Sequence, residues 1–390
     1  MRCNAMKLGL AFARNPIVLT EDWPAGALDS AGGTFEVTIG DAVVYRGCFY
    51  PPMRIDVSEI VDAFVGYYPD PPVDSTAPVE CVVDSGTDRP GTFFEIESTL
   101  GGFESVFSCY VFPGGVSRQN FKRYLLKDSD AFQTRFLNAK GNFFLTTRSP
   151  GWLLRIGEME LEPLYFIADY GTEIRIRERL TGLYYEPETT AAGVYILDPE
   201  KLRHYFFTTY GILPNSFDIY RDRVHSCRLV IERMKPERDR LRVRFRNSFC
   251  VFESFDIPSG VKLKSSYDEG EDSEFNRYDQ ATGFFSRCRE RPVRRQTLTV
   301  TTGAVRRDEI PLLHDMLGSE EVYLIGAGAA SIRVLPELTE VNYTRRPDAP
   351  EIFTLEFVAA DEEENSMADI DTGMEFHSRV FSRQFTKEFN

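Results

Sequence analysis

The chain has 390 residues, 42% of them hydrophobic and 13% aromatic, and its 45 Lys and Arg stand against 60 Asp and Glu for a net charge of −15. That is enough apolar material for two or three packed domains. The acidic balance disfavours nucleic acid as a general partner, because such binding rests on neutralising phosphates. No apolar run approaches the roughly 18 residues of a membrane-spanning helix.

At the N-terminus, Arg2 and Lys7 precede the apolar stretch Leu8 to Ala13, and Ala11-Phe12-Ala13 resembles a cleavage site. The stretch is shorter than the roughly 7–15 residues of a signal-peptide core, so a first strand ending at Asn15-Pro16 is expected and secretion is not. Period-2 alternation, the mark of a strand with one dry face, then recurs along the chain. Phe35, Val37 and Ile39 carry it first. Val43-Val44-Tyr45 makes a strand expected to end at Gly47, and Phe107, Cys109 and Val111 run into the turn Pro113-Gly114-Gly115. Ile174 and Ile176 alternate with Arg175 and Arg177; Cys227, Leu229 and Ile231 with Arg228 and Glu232. Leu298 and Val300 sit between threonines, and Phe353, Leu355 and Phe357 close the series. Aromatic, Val, Ile and Thr residues dominate these runs, which favours strands over helices. The expected fold class is mainly β: two to three β-sandwich or β-barrel domains with a few short helices.

Three helices are predicted. Asp56-Val57-Ser58-Glu59 has the form of a capping box ahead of Ile60, Val61 and Phe64. Ser117 can cap a helix carrying Phe121, Tyr124 and Leu125. Asp308 can cap a third, with Leu312, Leu313, Met316 and Leu317 on one side, Pro311 in its first turn and Gly318 as the stop. Polar and proline-rich breaks at Pro69-Asp70-Pro71-Pro72, Pro113-Gly114-Gly115 and Lys235 to Asp239 suggest an N-terminal β-sandwich-like domain over 1–115 and a β-rich middle domain over 116–236. A β-barrel-like domain with one helix is expected over 237–360. The tail, 361–390, opens on the acidic run Asp361 to Glu364 and ends on a four-residue repeat that places Phe381, Phe385 and Phe389 on one stripe of a short helix. Nine residues are too few for a stable helix alone, so the repeat either stays disordered or docks on a partner.

The stretch Arg240 to Phe255 is the most informative. Leu241, Val243 and Phe245 alternate with Arg240, Arg242, Arg244 and Arg246, then Asn247-Ser248 breaks the pattern before a second apolar run. Arg135 to Asn138 followed by Phe143 to Thr146 reads as a weaker echo of it. The arginine face is either solvated or paired with an acidic neighbouring subunit. Nucleic acid would need aromatics interleaved on the exposed side, and here the interleaved residues belong inside. A second basic cluster gathers Arg287, Arg289, Arg291, Arg294 and Arg295.

Chemistry-bearing motifs are sparse. No Gly-x-Ser-x-Gly elbow, His-Glu-x-x-His or phosphate-binding loop is present. His204, His225, His314 and His377 lie far apart, without metal-ligand spacing. The seven cysteines, Cys3, Cys48, Cys81, Cys109, Cys227, Cys250 and Cys288, include no Cys-x-x-Cys pair and read as reduced thiols. Gly326 to Ser331 mimics a dinucleotide loop but lacks its third glycine, so it reads as a tight turn between strands. Asp369, Asp371 and Glu375, and more loosely Asp268, Asp272 and Glu274, space oxygens near one another without matching a calcium loop. No catalytic, cofactor or metal residues are assigned.

Read together, Arg244-Phe245-Arg246-Asn247-Ser248-Phe249 with Glu253, the opening Asn15-Pro16, Phe143 to Thr147 ahead of Leu164 to Ile167, Thr297 to Thr301, the Asp308 to Leu317 helix and the terminal Phe-Ser/Thr repeat resemble uncharacterised tail-associated proteins of phages and prophages from Bacteroidetes hosts. In that pattern Gly commonly follows the Phe of Asn-Ser-Phe; here Cys250 stands there. The resemblance covers most of the chain in short pieces. It implies a non-enzymatic virion component of a tail or baseplate, assembled in the bacterial cytoplasm as a homo-oligomer with other tail proteins. It supplies no catalytic residues. The partner-binding candidates are Phe381, Phe385, Phe389, Arg240, Arg242, Arg244 and Arg246. The alternative is a β-sandwich adhesion module binding a host surface glycan. Trp23, Trp152, Tyr67-Tyr68 or Tyr184-Tyr185 would then supply the stacking platforms.

Overall fold

The computed structural model describes residues 9–19, 32–50, 55–70, 72, 75–84, 91–126, 131–149, 151–233, 241–258, 261–268, 274–289, 293–325, 331–337 and 351–360. Outside them lie Arg2 to Leu8, Trp23, Pro71, Lys235 to Arg240, Asp272, Arg291, Gly326 to Ala330, the acidic run from Asp361, Asp369, Asp371, Glu375, His377 and the Phe repeat. The described chain is mainly β, in several sheets. Contacts divide it into two units: residues 1–156, 161–232 and 247–252 form the first, and 157–160, 233–246 and 253–390 the second.

In the first unit a five-stranded sheet runs in the order Gly9–Phe12, Phe103–Phe112, Thr92–Leu100, Gly33–Ile39, Ala42–Phe49. The opening strand pairs in parallel with Phe103–Phe112, and the rest of the described pairings are antiparallel. Phe35, Val37, Phe94 and Ile96 point into one core, where the helix Ser58–Val65 also packs Val61. The strand expected to end at Gly47 continues to Phe49. Gly47 is there for space: a Cβ would meet the Phe35 ring across the strand.

A three-stranded sheet, Leu164–Ala168, Gly193–Leu197 and Val79–Asp84, forms an inner layer. Its first two strands are buried at every residue, as expected for strands covered on both faces. Alternation assigns the faces. Leu164, Phe166 and Ala168 join one core, and Tyr165 and Ile167 join another. The first of these cores faces the sheet Tyr184–Tyr185, Ile174–Glu178, Ser216–Arg221, Val224–Glu232, Leu153–Gly157, and takes Leu202 and Phe206 from the helix Pro199–Tyr210.

The second unit is built on a seven-stranded sheet in the order Phe252–Ile257, Leu241–Arg246, Val322–Ile325, Ser331–Glu337, Glu351–Ala359, Val293–Val305, Val261–Asp268. Its two edge strands are consecutive in sequence, joined through residues 258–260. A flat sheet of this width would set them roughly 29 Å apart, and four Cα steps reach at most about 15 Å. The sheet must therefore curl toward closure. Its concave face holds the core of Val243, Phe245, Val300, Leu324, Leu355 and Phe357, with Leu312, Leu313 and Met316 from the helix Ile310–Leu317 in the same cluster.

Two local expectations are corrected. Arg135 to Asn138 is no strand; Gln133–Leu137 is a π-helical turn, and Phe143 and Phe144 contribute one isolated bridge, Phe144 with Phe166. All of Phe143, Phe144 and Leu145 are buried, which a two-faced alternating strand would not allow. The Asp56 motif is not a reciprocal box: its carboxylate accepts from Ser58 N at 3.0 Å and from Ile17 N at 3.1 Å, so it ties the helix start to the opening segment.

Candidate functional site

The arginine strand forms as expected. Leu241, Val243 and Phe245 are buried, and Arg242, Arg244 and Arg246 are half-buried on the other face. The arginines have internal partners. Arg242 Nε donates to Ser254 Oγ at 3.0 Å, and Arg246 Nε to Glu321 Oε2 at 2.6 Å. Burial works against ionised Glu321, but the Tyr323 hydroxyl and the Arg246 guanidinium outweigh it and hold the carboxyl below its ordinary value. Arg244 lies directly across from Tyr323, which is itself paired with Arg333 on the next strand. The result is one basic face, partly neutralised by Glu321. Arg240, Phe381, Phe385 and Phe389 lie outside the described residues.

After Arg246 the chain enters the first unit. Asn247, Phe249, Cys250 and Val251 are all buried there, with Ser248 exposed. One side chain organises the loop. Asn247 Oδ1 accepts from Phe249 N at 2.9 Å and from Val251 N at 3.2 Å, while Nδ2 donates to Leu145 O at 3.0 Å. These bonds satisfy backbone groups that burial would otherwise strand. Phe249 packs against Phe12 and Phe136, with ring centroids 5.5 and 6.0 Å away. Gly115 N donates to Ser248 O at 2.8 Å. Any side chain on Gly114, which has φ +78°, would overlap that carbonyl. Cys250 adopts φ 61°, a left-handed conformation that favours glycine. This is the position where the resembled pattern commonly has Gly.

A buried cation that no sequence motif marks is Arg221, which is 1% exposed. Its Nη1 donates to Phe136 O at 2.9 Å and its Nη2 to Ile167 O at 2.6 Å, and the guanidinium lies over the Phe143 ring. Burial lowers its pKa to about 10, against the opposing pull of Asp222 and Asp169. Two of the groups it touches, Phe136 and Ile167, flank the same aromatic core as Phe249. Sequence could flag only an arginine ending an apolar strand, Phe217-Asp218-Ile219-Tyr220-Arg221.

The six described cysteines are free. Burial pushes the Cys109 thiol up to about 12 despite its bond to the Tyr110 carbonyl, and it raises Cys227 as well, so neither is a reactive thiolate. His225 Nε2 lies 3.3 Å from Asp218 Oδ1, which Arg228 also engages at 2.7 Å. Among the described residues no three His, Cys, Asp or Glu gather as a metal site. The proposed sugar platforms divide: Tyr68 is buried, while Trp152 is 60% exposed and Tyr184 50%, the latter with Arg175 over its ring at 5.0 Å. No helix among the described residues is long and apolar enough to cross a membrane. No protein family matches the chain, and no curated protein matches it.

Proposed function

We propose that this chain is a non-enzymatic structural component of a phage or prophage tail or baseplate, acting by assembly with copies of itself and with other tail proteins. The observation that carries the reading is where the residues of the resemblance go. Asn247, Phe249, Phe143, Phe166, Leu298 and Leu313 are invested in cores and buried hydrogen bonds. A pattern of this kind specifies a shape that many copies repeat, and repeated contact is how a structural subunit acts. Exposed large apolar side chains on turns and loops, such as Tyr50, Tyr170 and Leu180, give such contacts their material. The Phe repeat, Phe381, Phe385 and Phe389, and the arginine face are the contact candidates within this reading. Negative-stain microscopy of the purified chain tests it: rings or tubes support it, and a strictly monomeric protein at high concentration opposes it.

The second reading, a glycan-binding adhesion module, draws on the exposure of Trp152 and Tyr184. Aromatic faces with a neighbouring Arg175 and Glu186 pair can stack and hydrogen-bond a sugar. A glycan array separates the readings, since saturable binding lost on Tyr184→Ala and Trp152→Ala belongs to the second alone.

A further inference from the structure

We infer that the hairpin formed by Glu274–Asp279 and Phe284–Arg289 is an arm that docks on the acidic outer face of the first five-stranded sheet of a second copy of this chain, an inference that rests on the assembly reading. The hairpin is a two-stranded sheet of its own, in register from Glu274 opposite Arg289 to Asp279 opposite Phe284. Its tip is firmly made. Gly283 N donates to Asp279 O at 2.9 Å, and the Asp279 carboxylate accepts from Ala281 N and Thr282 Oγ1. Yet its aromatic rings lie in water: Phe284 is 75% exposed, Phe285 71%, Tyr278 53% and Phe275 46%. A lone two-stranded hairpin is marginally stable, and exposed rings add little to it until something covers them.

Alternation puts Phe275, Arg277 and Phe284 on one face, so a guanidinium stands between two phenyl rings. On the other face Tyr278 and Phe285 pack together at 5.1 Å, and Arg287 is paired with Glu274. The Arg277 face also carries Asp279, but that carboxylate is taken up in the turn by Ala281 N and Thr282 Oγ1. The cation on the other face, Arg287, is taken up by Glu274, so the docking surface is assigned to the Arg277 face.

The complementary surface is on the same chain. Beside the buried Phe35, Val37, Phe94 and Ile96, the outer face of the first sheet presents Glu36, Glu95, Glu97 and Glu104. Glu36 and Glu97 sit directly opposite each other across neighbouring strands. Like charges so placed are destabilising. Arg46 pairs with Glu36 at 2.9 Å, leaving the patch acidic on balance, and the exposed Val43 borders it opposite Thr38. A guanidinium delivered from a neighbour would relieve the Glu36–Glu97 opposition, with a flanking ring against Val43. Because arm and face are different surfaces, the contact is head-to-tail, the kind that closes into rings or extends into filaments.

The test is sedimentation velocity on the full chain over a concentration series, with Arg277→Glu, Glu97→Arg and Phe275→Ser/Phe284→Ser variants. All these positions are exposed, and circular dichroism checks that each variant folds. Each should weaken self-association at least about tenfold, as close interfacial charge pairs do. Mixing Arg277→Glu copies with Glu97→Arg copies should restore pairwise association, because the intact arm of the Glu97→Arg copy meets the intact face of the Arg277→Glu copy. Unchanged association in the three variants, or no rescue on mixing, overturns the docking inference while the assembly reading stands. A wild-type chain that stays monomeric overturns both. Labelled single-stranded DNA bound by wild type and lost in Arg277→Glu, with association intact, would assign the arm to nucleic acid and overturn the inference.

Discussion

Replacing Asn247 with alanine removes one donor and one acceptor from a buried loop, leaving Leu145 O, Phe249 N and Val251 N without their partner. The loss should be about 3 kcal/mol of unfolding free energy, since each stranded group costs about 1–3 kcal/mol before water or rearrangement compensates; chemical denaturation measures it. Cys250 gives a sharper contrast. At φ 61°, glycine fits without strain and a β-branched residue does not. Cys250→Gly should stay within about 1 kcal/mol of wild type, and Cys250→Val should fall by more than about 2 kcal/mol. At Glu321 the sign of the pH effect is fixed. Its folded pKa is lowered from the ordinary 4.5, so its stabilising contribution is present above that value and lost as pH falls through the lowered one. The stability gap between wild type and Glu321→Gln should therefore be widest near neutral pH and shrink on acidification. A gap that widens below pH 4.5 would contradict the Arg246–Glu321 assignment.

Elements were legible where alternation was clean. Ile174–Glu178, Val224–Glu232, Leu241–Arg246 and Glu351–Ala359 all bury the residues that period 2 selects. The helix Pro199–Tyr210 was missed although it carries the stronger signals: Asp198 caps Glu200 N at 2.9 Å and Lys201 N at 3.1 Å, Pro199 opens the first turn, and Gly211 closes it at φ 71°. Its run Tyr205-Phe206-Phe207-Thr208-Thr209-Tyr210 is rich in strand formers, and only Pro199, Leu202 and Phe206 are buried, so the apolar periodicity is weak. Capping outweighs propensity here. Asp198→Ala should cost about 1 kcal/mol, read as a lower thermal midpoint, and an unchanged midpoint would show that packing alone sets this helix. The Gln133–Leu137 turn misled for a different reason. Arg135 to Asn138 only echoes the composition of the arginine strand, with Phe136 and Leu137 adjacent rather than alternating. The Phe136 carbonyl is held by Arg221 from far along the chain, a partner no local pattern encodes.

At the scale of the whole molecule, the β class was readable and the topology was not. The loop 247–252 is flanked by strands of the second unit and belongs to the first, because Asn247 and Phe249 find their partners at Leu145, Phe12 and Phe136. The curl of the seven-stranded sheet follows from residues 258–260 joining its two edges, a fact of pairing order rather than of composition. The arginine face of the strand Leu241–Arg246, expected to be either solvated or bound, is half-buried, with Arg242 and Arg246 bonded to Ser254 and Glu321. The exposed aromatic hairpin joins it and the Phe repeat as contact candidates. All of this bears on one claim, that the chain acts by associating with itself. The direct measurement is the mass distribution of the purified full chain by sedimentation velocity across a concentration range, with the same samples imaged by negative stain. The account predicts concentration-dependent oligomers that resolve as rings or tubes; a single monomer species at every concentration would contradict it.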